Sequence, residues 1–357
     1  MDRGKRPVKS IAHRNSKIYM DLKDIIRENA LAFLPAKAIR RCSIVCRDWK
    51  HMISMPFFVH NQSVAFRDIS GFFCQSKEEP PYFISMEPLA YGVPDPSLKF
   101  LPEPVDIRSS SNGLLCCQGR NGYKAYYICN PVTQQWKKLP EPTAKHGADP
   151  AIVLAFQPSR LNFEAHYKLV CAFPSELGGY EFEIYSSANG SWKISDELFC
   201  GSRSLIPKSG THIGGVVYWE TSCRSYGGDI MAFDLTSERT SLIYGNGPLG
   251  QLGGKVCSAS FSGYAVRVAE LNAYCNTMQM GSKHKTLWKE FKITGNAHGG
   301  SYQQGKVLYV GDDAVVVRSG NHLFAYDMRT KESRQLTGQV CLDPIIVPYV
   351  NNLVPIY

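Results

Sequence analysis

The 357-residue sequence contains no run of 18 or more apolar residues, and its first residues include no apolar signal segment. These two absences argue against membrane insertion and secretion, so we expect the chain in the nucleus, the cytoplasm or both. The 12 cysteines form no C-x2-C pair and show no zinc-ligand spacing with histidine. We therefore expect reduced thiols and no metal.

Common catalytic motifs are also missing. The sequence has no GxSxG nucleophile elbow, no GxxxxGK[ST] phosphate loop and no HExxH metal motif, and its nine histidines are scattered. The segment "GNGPLG", Gly245–Gly250, matches GxGxxG, but Pro248 and the polar residues after it form no helix that could hold a pyrophosphate. We expect no cofactor and no enzymatic activity.

Positive charge is concentrated at the amino terminus. The chain has a net charge of +9, and residues 1–20 contain six basic residues and one acidic residue. Such a segment is typical of a solvated, disordered tail, and the alternative is a patch that attracts nucleic acid or an import receptor. We expect the tail interpretation to hold, with no specific nucleic acid and no membrane as partners.

Helical periodicity is confined to residues 21–62. Apolar or small residues follow one another at steps of 3, 4, 3 and 4 in the second half of this segment, at Ile39, Cys42, Cys46, Trp49 and Ile53. This spacing predicts one apolar helix face. Because so few residues cannot bury a core alone, the face must pack on something else.

Residues 63–357 instead contain short apolar runs separated by turn residues. Five polar residues, each after an apolar strand, recur at gaps of 56, 48, 48 and 45 residues: Asn130, Ser186, Asp234, Ser282 and Asp327. Each begins a hairpin turn, and glycine-led strands from Gly113, Gly215 and Gly305 are interpreted as inner strands of the repeats. A repeat of about 50 residues is typical of kelch-type β-propellers.

The predicted fold is therefore mainly β, a kelch-like propeller after a short all-α segment. Strands expected within Ser63–Cys74 and Tyr82–Met86 could pair with the carboxyl-terminal residues and close a sixth blade. We thus divide the chain into a tail (1–20), helices (21–62) and a six-bladed propeller (63–357).

The helical segment resembles the F-box. In "LPAKAIRRCSIVCRDWKHMISMPFF" the Leu-Pro, Val-Cys-Arg-x-Trp, Ile-Ser and Pro-x-Phe elements follow in the order of that family's pattern. Downstream, "SNGLLCC" and "YICNPVTQQWKKLP" resemble the associated propeller of plant F-box proteins. By this resemblance we expect the following residues to contact a Skp-type adaptor: Ile26, Leu31, Leu34, Pro35, Ile39, Val45, Cys46, Trp49 and Ile53.

The resemblance implies the substrate receptor of an SCF ubiquitin ligase, linked through the adaptor to a cullin and holding a protein target on its propeller. The alternative is an adaptor-independent propeller scaffold or interaction protein with a degenerate F-box. For the helices themselves, the alternative is a capping hairpin packed against the chain's own propeller. We expect target contacts in three long loops, Pro174–Glu181, Thr221–Asp229 and Gly245–Gly254. The residues proposed for them are Tyr180, Arg224, Tyr226 and Leu249, although the two tyrosines could instead shield strand ends.

Overall fold

The computed structural model describes residues 26, 30–77, 79–122, 124–147, 149–200, 203–222, 229–245, 247–262, 265–271, 287–292, 305–338, 340 and 345–357. The predicted tail, the anchor Ser282 and the loop residues Arg224 and Tyr226 lie outside these residues.

Three short α-helices follow a 3-10 turn at Leu31–Phe33: α1 (Ala36–Cys42), α2 (Arg47–Ile53) and α3 (Pro56–Ala65). We call residues 31–65 the helical module. Pro35 caps α1 rather than opening it, and Pro56 is the first residue of α3. Within the described residues, none of these helices is long and apolar enough to cross a bilayer.

The prediction of one continuous apolar helix face is wrong. Cys46 is extended, with φ −156° and ψ 167°, and its sulfur accepts the amide N–H of Trp49 at 3.5 Å as the cap of α2. The spacing of 3, 4, 3 and 4 therefore spans two helices and the turn between them. The strand expected from Ser63 begins only at Ile69, because α3 continues to Ala65.

Six antiparallel sheets account for the described strands of the propeller. Blade 1 contains β3 (Val105–Ser111), β4 (Leu114–Gly119), β5 (Tyr126–Asn130) and β6 (Gln135–Lys138). Blade 2 contains β7 (Ala151–Ala155), β8 (Lys168–Pro174), β9 (Tyr180–Ser186) and β10 (Ser191–Phe199). Blade 3 contains β11 (Ser204–Leu205), β12 (Thr211–Ile213), β13 (Val216–Ser222), β14 (Asp229–Asp234) and β15 (Arg239–Tyr244), after which the chain enters the next blade. A 3-10 turn at Pro207–Ser209 precedes β12.

Blade 4 contains β16 (Leu249–Leu252), β17 (Lys255–Ser262), β18 (Ala265–Glu270) and β19 (Leu287–Lys292). Blade 5 contains β20 (Lys306–Val310), β21 (Ala314–Ser319), β22 (His322–Asp327) and β23 (Ser333–Gln335). Blade 6 joins the first and last strands of the propeller, because β1 (Ile69–Gln75) pairs with β2 (Tyr82–Ser85) on one side and with β24 (Ile345–Val350) on the other. The expected closing blade is confirmed.

One strand of each blade lines the centre of the ring; it is the first strand in blades 1, 2, 4 and 5, β12 in blade 3, where β11 is an additional strand paired with β13, and β24 in blade 6. Each of these inner strands contacts the next around a closed circle, in the order β3, β7, β12, β16, β20 and β24. Their carboxyl ends share one face with the helical module: Asn112 after β3 accepts from Asn352, and β24 continues at Val350 into Asn351, which contacts α1. We call this side the module face and the other, where the inner strands begin, the opposite face.

The repeat anchors behave as predicted where they are described. Asn130, Ser186, Asp234 and Asp327 each end the third strand of a blade. The Asp234 carboxylate accepts the amide N–H groups of Thr236 and Ser237 at 2.8 and 2.7 Å, and these hydrogen bonds lower its pKa. An Asx residue therefore recurs at three of these strand ends because its side chain accepts from the backbone N–H groups of the following turn, whereas at Ser186 the backbone carbonyl accepts from Asn189 and Gly190.

The assignment of glycine-led strands to the inner position is wrong for two of three. Gly113 and Gly215 precede second strands, β4 and β13, whereas Gly305 precedes the inner strand β20. Gly113 has φ +92°, and a Cβ there would lie 1.9 Å from Oδ1 of Asn352. Glycine is required at this turn because the carboxyl-terminal segment packs directly over it.

Candidate functional site

The helical module shares a hydrophobic core with blades 1 and 6. Ile39 is fully buried, and Leu31 and Ile53 are buried in the same cluster. On the propeller side this cluster contains Phe73 and Tyr349, among other buried residues. Burying this apolar face stabilises helices that could not persist alone.

Asn351 ties α1 to the ring through its backbone and its side chain. Its carbonyl accepts from the N–H of Ala36 at 3.0 Å, and its side-chain oxygen accepts from the N–H of Lys37 at 3.3 Å. In the other direction its own N–H donates to the hydroxyl of Ser70 at 2.8 Å, and its amide nitrogen donates to the carbonyl of Gly92 at 2.6 Å. The side chain is completely buried, so these bonds form without competition from water.

Gln62 makes a second tie from α3. Its amide nitrogen donates to the carbonyl of Leu34 at 3.0 Å, and its amide oxygen accepts from the N–H of Leu353 at 2.8 Å. Two basic side chains of α1 also bind the propeller: Lys37 donates to the carbonyl of Tyr91 at 3.2 Å, and Arg40 donates to the carbonyl of Val132. The module is therefore fixed in orientation relative to blades 1 and 6.

Apolar side chains also remain uncovered on the module. Ile44 and Val45, in the turn between α1 and α2, are 85% and 65% exposed, and Phe33 and Phe57 are 62% and 67% exposed. Met55, just before α3, is also exposed. We call these five residues the exposed apolar set. The module thus leaves five large apolar side chains in contact with solvent within residues 33–57.

The nine residues predicted to contact an adaptor fall into three groups. Leu31, Ile39 and Ile53 are buried against the chain's own propeller, so their side chains present no surface to a partner in this structure. Those at intermediate burial are Ile26, Leu34, Pro35 and Trp49, and only Val45 and Cys46 are exposed. Adaptor contact by the accessible residues stays a prediction.

The predicted target residues that are described lie in different surroundings. Tyr180 begins β9, and its hydroxyl accepts from the N–H of Leu205 at 3.1 Å, so it braces blade 2 against blade 3. This placement matches the alternative that it shields a strand end. Leu249 begins β16 and lines a cavity at the centre of the ring.

This central cavity has a volume of about 640 Å³ and is lined by residues from all six blades. Its charged side chains are Arg67, Asp68, Arg108, Lys208, Glu220, Lys306, Asp312 and Asp313. Burial lowers the pKa of His212, in its wall, to about 4, so this imidazole is neutral at physiological pH. The prediction that Leu249 contacts a target stays a prediction. The charged groups of the cavity were not predicted, because residues far apart in the chain converge only when the ring closes.

A buried polar cluster elsewhere is structural. The ring nitrogens of His146 lie 3.0 Å from the hydroxyl of Tyr126 and 2.6 Å from a carboxylate oxygen of Glu183. Burial would raise the pKa of Glu183, but hydrogen bonds from His146, Thr143 and Ala144 outweigh it and lower that pKa. All the hydrogen-bonding capacity of Glu183 is thus directed at residues 143–146, which it pins to blade 2.

The helical module and the six-bladed propeller each match a family model. The model for "F-box associated beta propeller domain" matches residues 72–341, and the model for "F-box domain" matches residues 19–61. The chain belongs to the F-box proteins with an associated β-propeller.

Curated relatives come from Arabidopsis thaliana. "F-box protein At5g07610" is 31% identical over 253 residues, which cover 63% of this chain and 57% of that protein. "F-box protein At5g49610" is 24% identical over 272 residues, 72% of each chain. "Putative F-box/kelch-repeat protein At1g15680" is 26% identical over 241 residues, covering 61% of this chain and 58% of the relative. The chain thus spans little more than half the length of the first and third of these relatives. Among solved structures, TolB from Acinetobacter baumannii superposes with a TM-score of 0.43 and 11% identity over 82% of this chain and 70% of that chain.

Proposed function

We propose that the chain is the substrate receptor of an SCF-type ubiquitin ligase. In this proposal the F-box module binds a Skp-type adaptor, the adaptor links it to a cullin, and the propeller holds a protein target for ubiquitination. The observation that carries the proposal is the exposed apolar set on a module of the F-box family. The chain contributes proximity rather than chemistry, because it raises the local concentration of target lysines at the ubiquitin-conjugating enzyme.

The two faces of the module have separate roles in this proposal. Ile39, Leu31 and Ile53 face the propeller, and the exposed apolar set faces the adaptor. Because Asn351 and Gln62 fix the module on the ring, the adaptor and the target are held at a constant separation. A rigid receptor limits which target lysines reach the transferring enzyme.

The test is adaptor binding by the variant Ile44→Glu/Val45→Glu, measured by calorimetry and by co-elution on size exclusion. Placing two charges in an apolar interface should weaken the adaptor complex by about a hundredfold or more. Leu177→Glu is the matched control, since Leu177 lies in a propeller loop and is as exposed as Ile44, at 85%. This control should bind the adaptor like the unmodified chain.

If the unmodified, folded chain binds no Skp-type adaptor, the proposal is wrong. The adaptor-independent interaction protein would then be the better account, with the helices acting as a cap on the propeller. Equal loss of binding in Ile44→Glu/Val45→Glu and in Leu177→Glu would also refute the assignment of the adaptor to the exposed apolar set.

A further inference from the structure

The central cavity has the volume of a small-molecule site and a lining that mixes polar and apolar residues. Its volume of about 640 Å³ lies within the range of about 300–1,000 Å³ usual for such sites. Ile206, Leu249, Leu308 and Ile346 contribute apolar wall. The eight charged side chains of the cavity lie among them, and the partners that these groups already have decide which ligand fits.

The four carboxyl groups of the cavity are engaged by the chain itself. Asp68 accepts from Arg329 at 2.8 Å, and Asp312 accepts from the N–H of Gly253 at 2.6 Å. Asp313 accepts from the hydroxyl of Tyr309 at 3.0 Å and from the N–H of Ile69. Glu220 accepts a backbone hydrogen bond from Gly247.

Burial raises the pKa of both Glu220 and Asp313, and the hydrogen bonds that these carboxyl groups accept act against it by stabilising the charged form. A cationic ligand would therefore have to displace internal hydrogen bonds, at a cost of unsatisfied buried donors.

Of the four basic side chains of the cavity, the two arginines have partners within the chain, and the two lysines have no ion-pair partner in its described part. Arg108 is paired with Asp149 at 2.7 Å. Arg67 donates to the carbonyls of Val64 and Pro158, at 3.0 and 2.8 Å. Lys208 and Lys306, by contrast, have no ion-pair partner within 4 Å among the residues that the structure describes. Both ammonium groups are thus available to a ligand.

The two lysines belong to the same mouth of the cavity. Lys208 lies in the turn just before β12, and Lys306 is the first residue of β20, so both stand where inner strands begin, at the opposite face. Glu220 connects them: its N–H donates to the hydroxyl of Ser209, next to Lys208, and its carboxyl is close enough to Lys306 for the ammonium charge to act on it.

Lys208 and Lys306 are both exposed, and they line the cavity together with Ile206 and Leu249. We propose that the mouth formed by these four residues binds a small organic anion, with its charged group on the two lysines and its apolar body against Ile206 and Leu249. Neither the F-box nor adaptor binding enters this inference, so it stands or falls separately from the proposed function. The ligand lies on the face away from the module, where it can change the surface offered to a target without disturbing the adaptor.

The test uses two fluorescent probes of nearly equal shape. 8-Anilinonaphthalene-1-sulfonate is an aromatic anion, and N-phenyl-1-naphthylamine is the same body without the sulfonate. The variant Lys208→Gln/Lys306→Gln should bind the anionic probe at least about tenfold more weakly, since a lost charge-assisted contact of about 1.4 kcal/mol is a factor of ten. Binding of the neutral probe should change by less than about twofold.

Two further variants locate the effect. Lys99→Gln/Lys145→Gln removes the same charge from exposed lysines that do not line the cavity, and it should bind both probes like the unmodified chain. Glu220→Gln removes a negative charge beside Lys306 and should tighten binding of the anionic probe about threefold. If Glu220→Gln does not fold, the comparison of Lys208→Gln/Lys306→Gln with Lys99→Gln/Lys145→Gln is a sufficient test.

The proposal is overturned if the unmodified chain shows no saturable binding of the anionic probe, at matched ionic strength. It is also overturned if both lysine pairs weaken the anionic probe equally, because the effect would then come from overall charge. Loss of the neutral probe together with the anionic one in Lys208→Gln/Lys306→Gln would mean that the cavity had changed shape, and would refute a specific role of the ammonium groups.

Discussion

Substitutions at two isoleucines of the helical module, Ile39 and Ile44, should have different effects. A change at Ile39 should lower the folding stability, and a change at Ile44 should lower the affinity for an adaptor. Ile39 has no exposed surface and packs in the core shared with blades 1 and 6, whereas Ile44 is 85% exposed. Replacing a fully buried isoleucine with alanine costs about 2–5 kcal/mol, and replacing it with valine costs about 0.5–1.5 kcal/mol. We expect these losses for Ile39→Ala and Ile39→Val, and less than about 0.5 kcal/mol for Ile44→Ala.

The assay is urea unfolding followed by tryptophan fluorescence and by circular dichroism. Because the module and the propeller share one core, both signals should report a single transition that shifts together in Ile39→Ala. Adaptor binding should show the reverse ranking, with Ile44→Ala weakened and Ile39→Val unchanged. The reasoning is refuted if Ile44→Ala destabilises the chain as much as Ile39→Ala, or if Ile39→Ala costs less than about 1 kcal/mol.

Two further predictions concern the carboxyl-terminal segment and the central cavity. Gly113→Ala should destabilise the chain by more than about 2 kcal/mol, because its Cβ would overlap Asn352. Gly190→Ala is also at positive φ but has open space around it, so it should cost about 1 kcal/mol. Equal losses of stability in thermal unfolding of the two variants would contradict this prediction. His212 stays neutral in the folded chain down to about pH 4 but takes up a proton near pH 6.5 when unfolded, so stability should fall as pH drops from 6.5 to 4. The variant His212→Gln should lose less stability over that window, and parallel pH profiles for the two proteins would show that His212 is not the cause.

The repeat was predictable from sequence because the same physical need recurs in each blade. Asn130, Asp234 and Asp327 are found at the third-strand ends because a turn with free N–H groups requires an acceptor there. The closing blade was predictable for a related reason, since an unpaired edge in blade 6 leaves the carboxyl-terminal apolar segment as its natural partner.

The orientation of the module was not predictable in this way. Apolar spacing at Ile39 and Ile53 shows that these side chains are buried, but it does not show whether the chain itself or a partner buries them. Nor did the spacing reveal the extended Cys46 that separates α1 from α2. The resemblance to the F-box assigned the whole stripe to the adaptor, whereas its most buried residues face the propeller.

Polar residues within an apolar segment can mark a junction between parts of a fold, and the spacing of apolar residues does not show this. Asn351 and Asn352 follow the apolar strand β24 and precede Leu353 and Val354, and both are completely buried. Buried amides require several partners, and here those partners come from the module and from blades 1 and 6. A pair of asparagines in an apolar segment therefore indicated a junction, although only the fold shows between which parts.

The most direct test of the account is hydrogen exchange of the chain alone and in complex with a Skp-type adaptor. We predict new protection in the turn between α1 and α2, at residues 43–46, and around Met55 and Phe57, with unchanged protection of α1 and of residues 351–354. Loss of protection in α1 on adaptor binding would contradict the account, because it would show that the module leaves the propeller and binds through Ile39 instead.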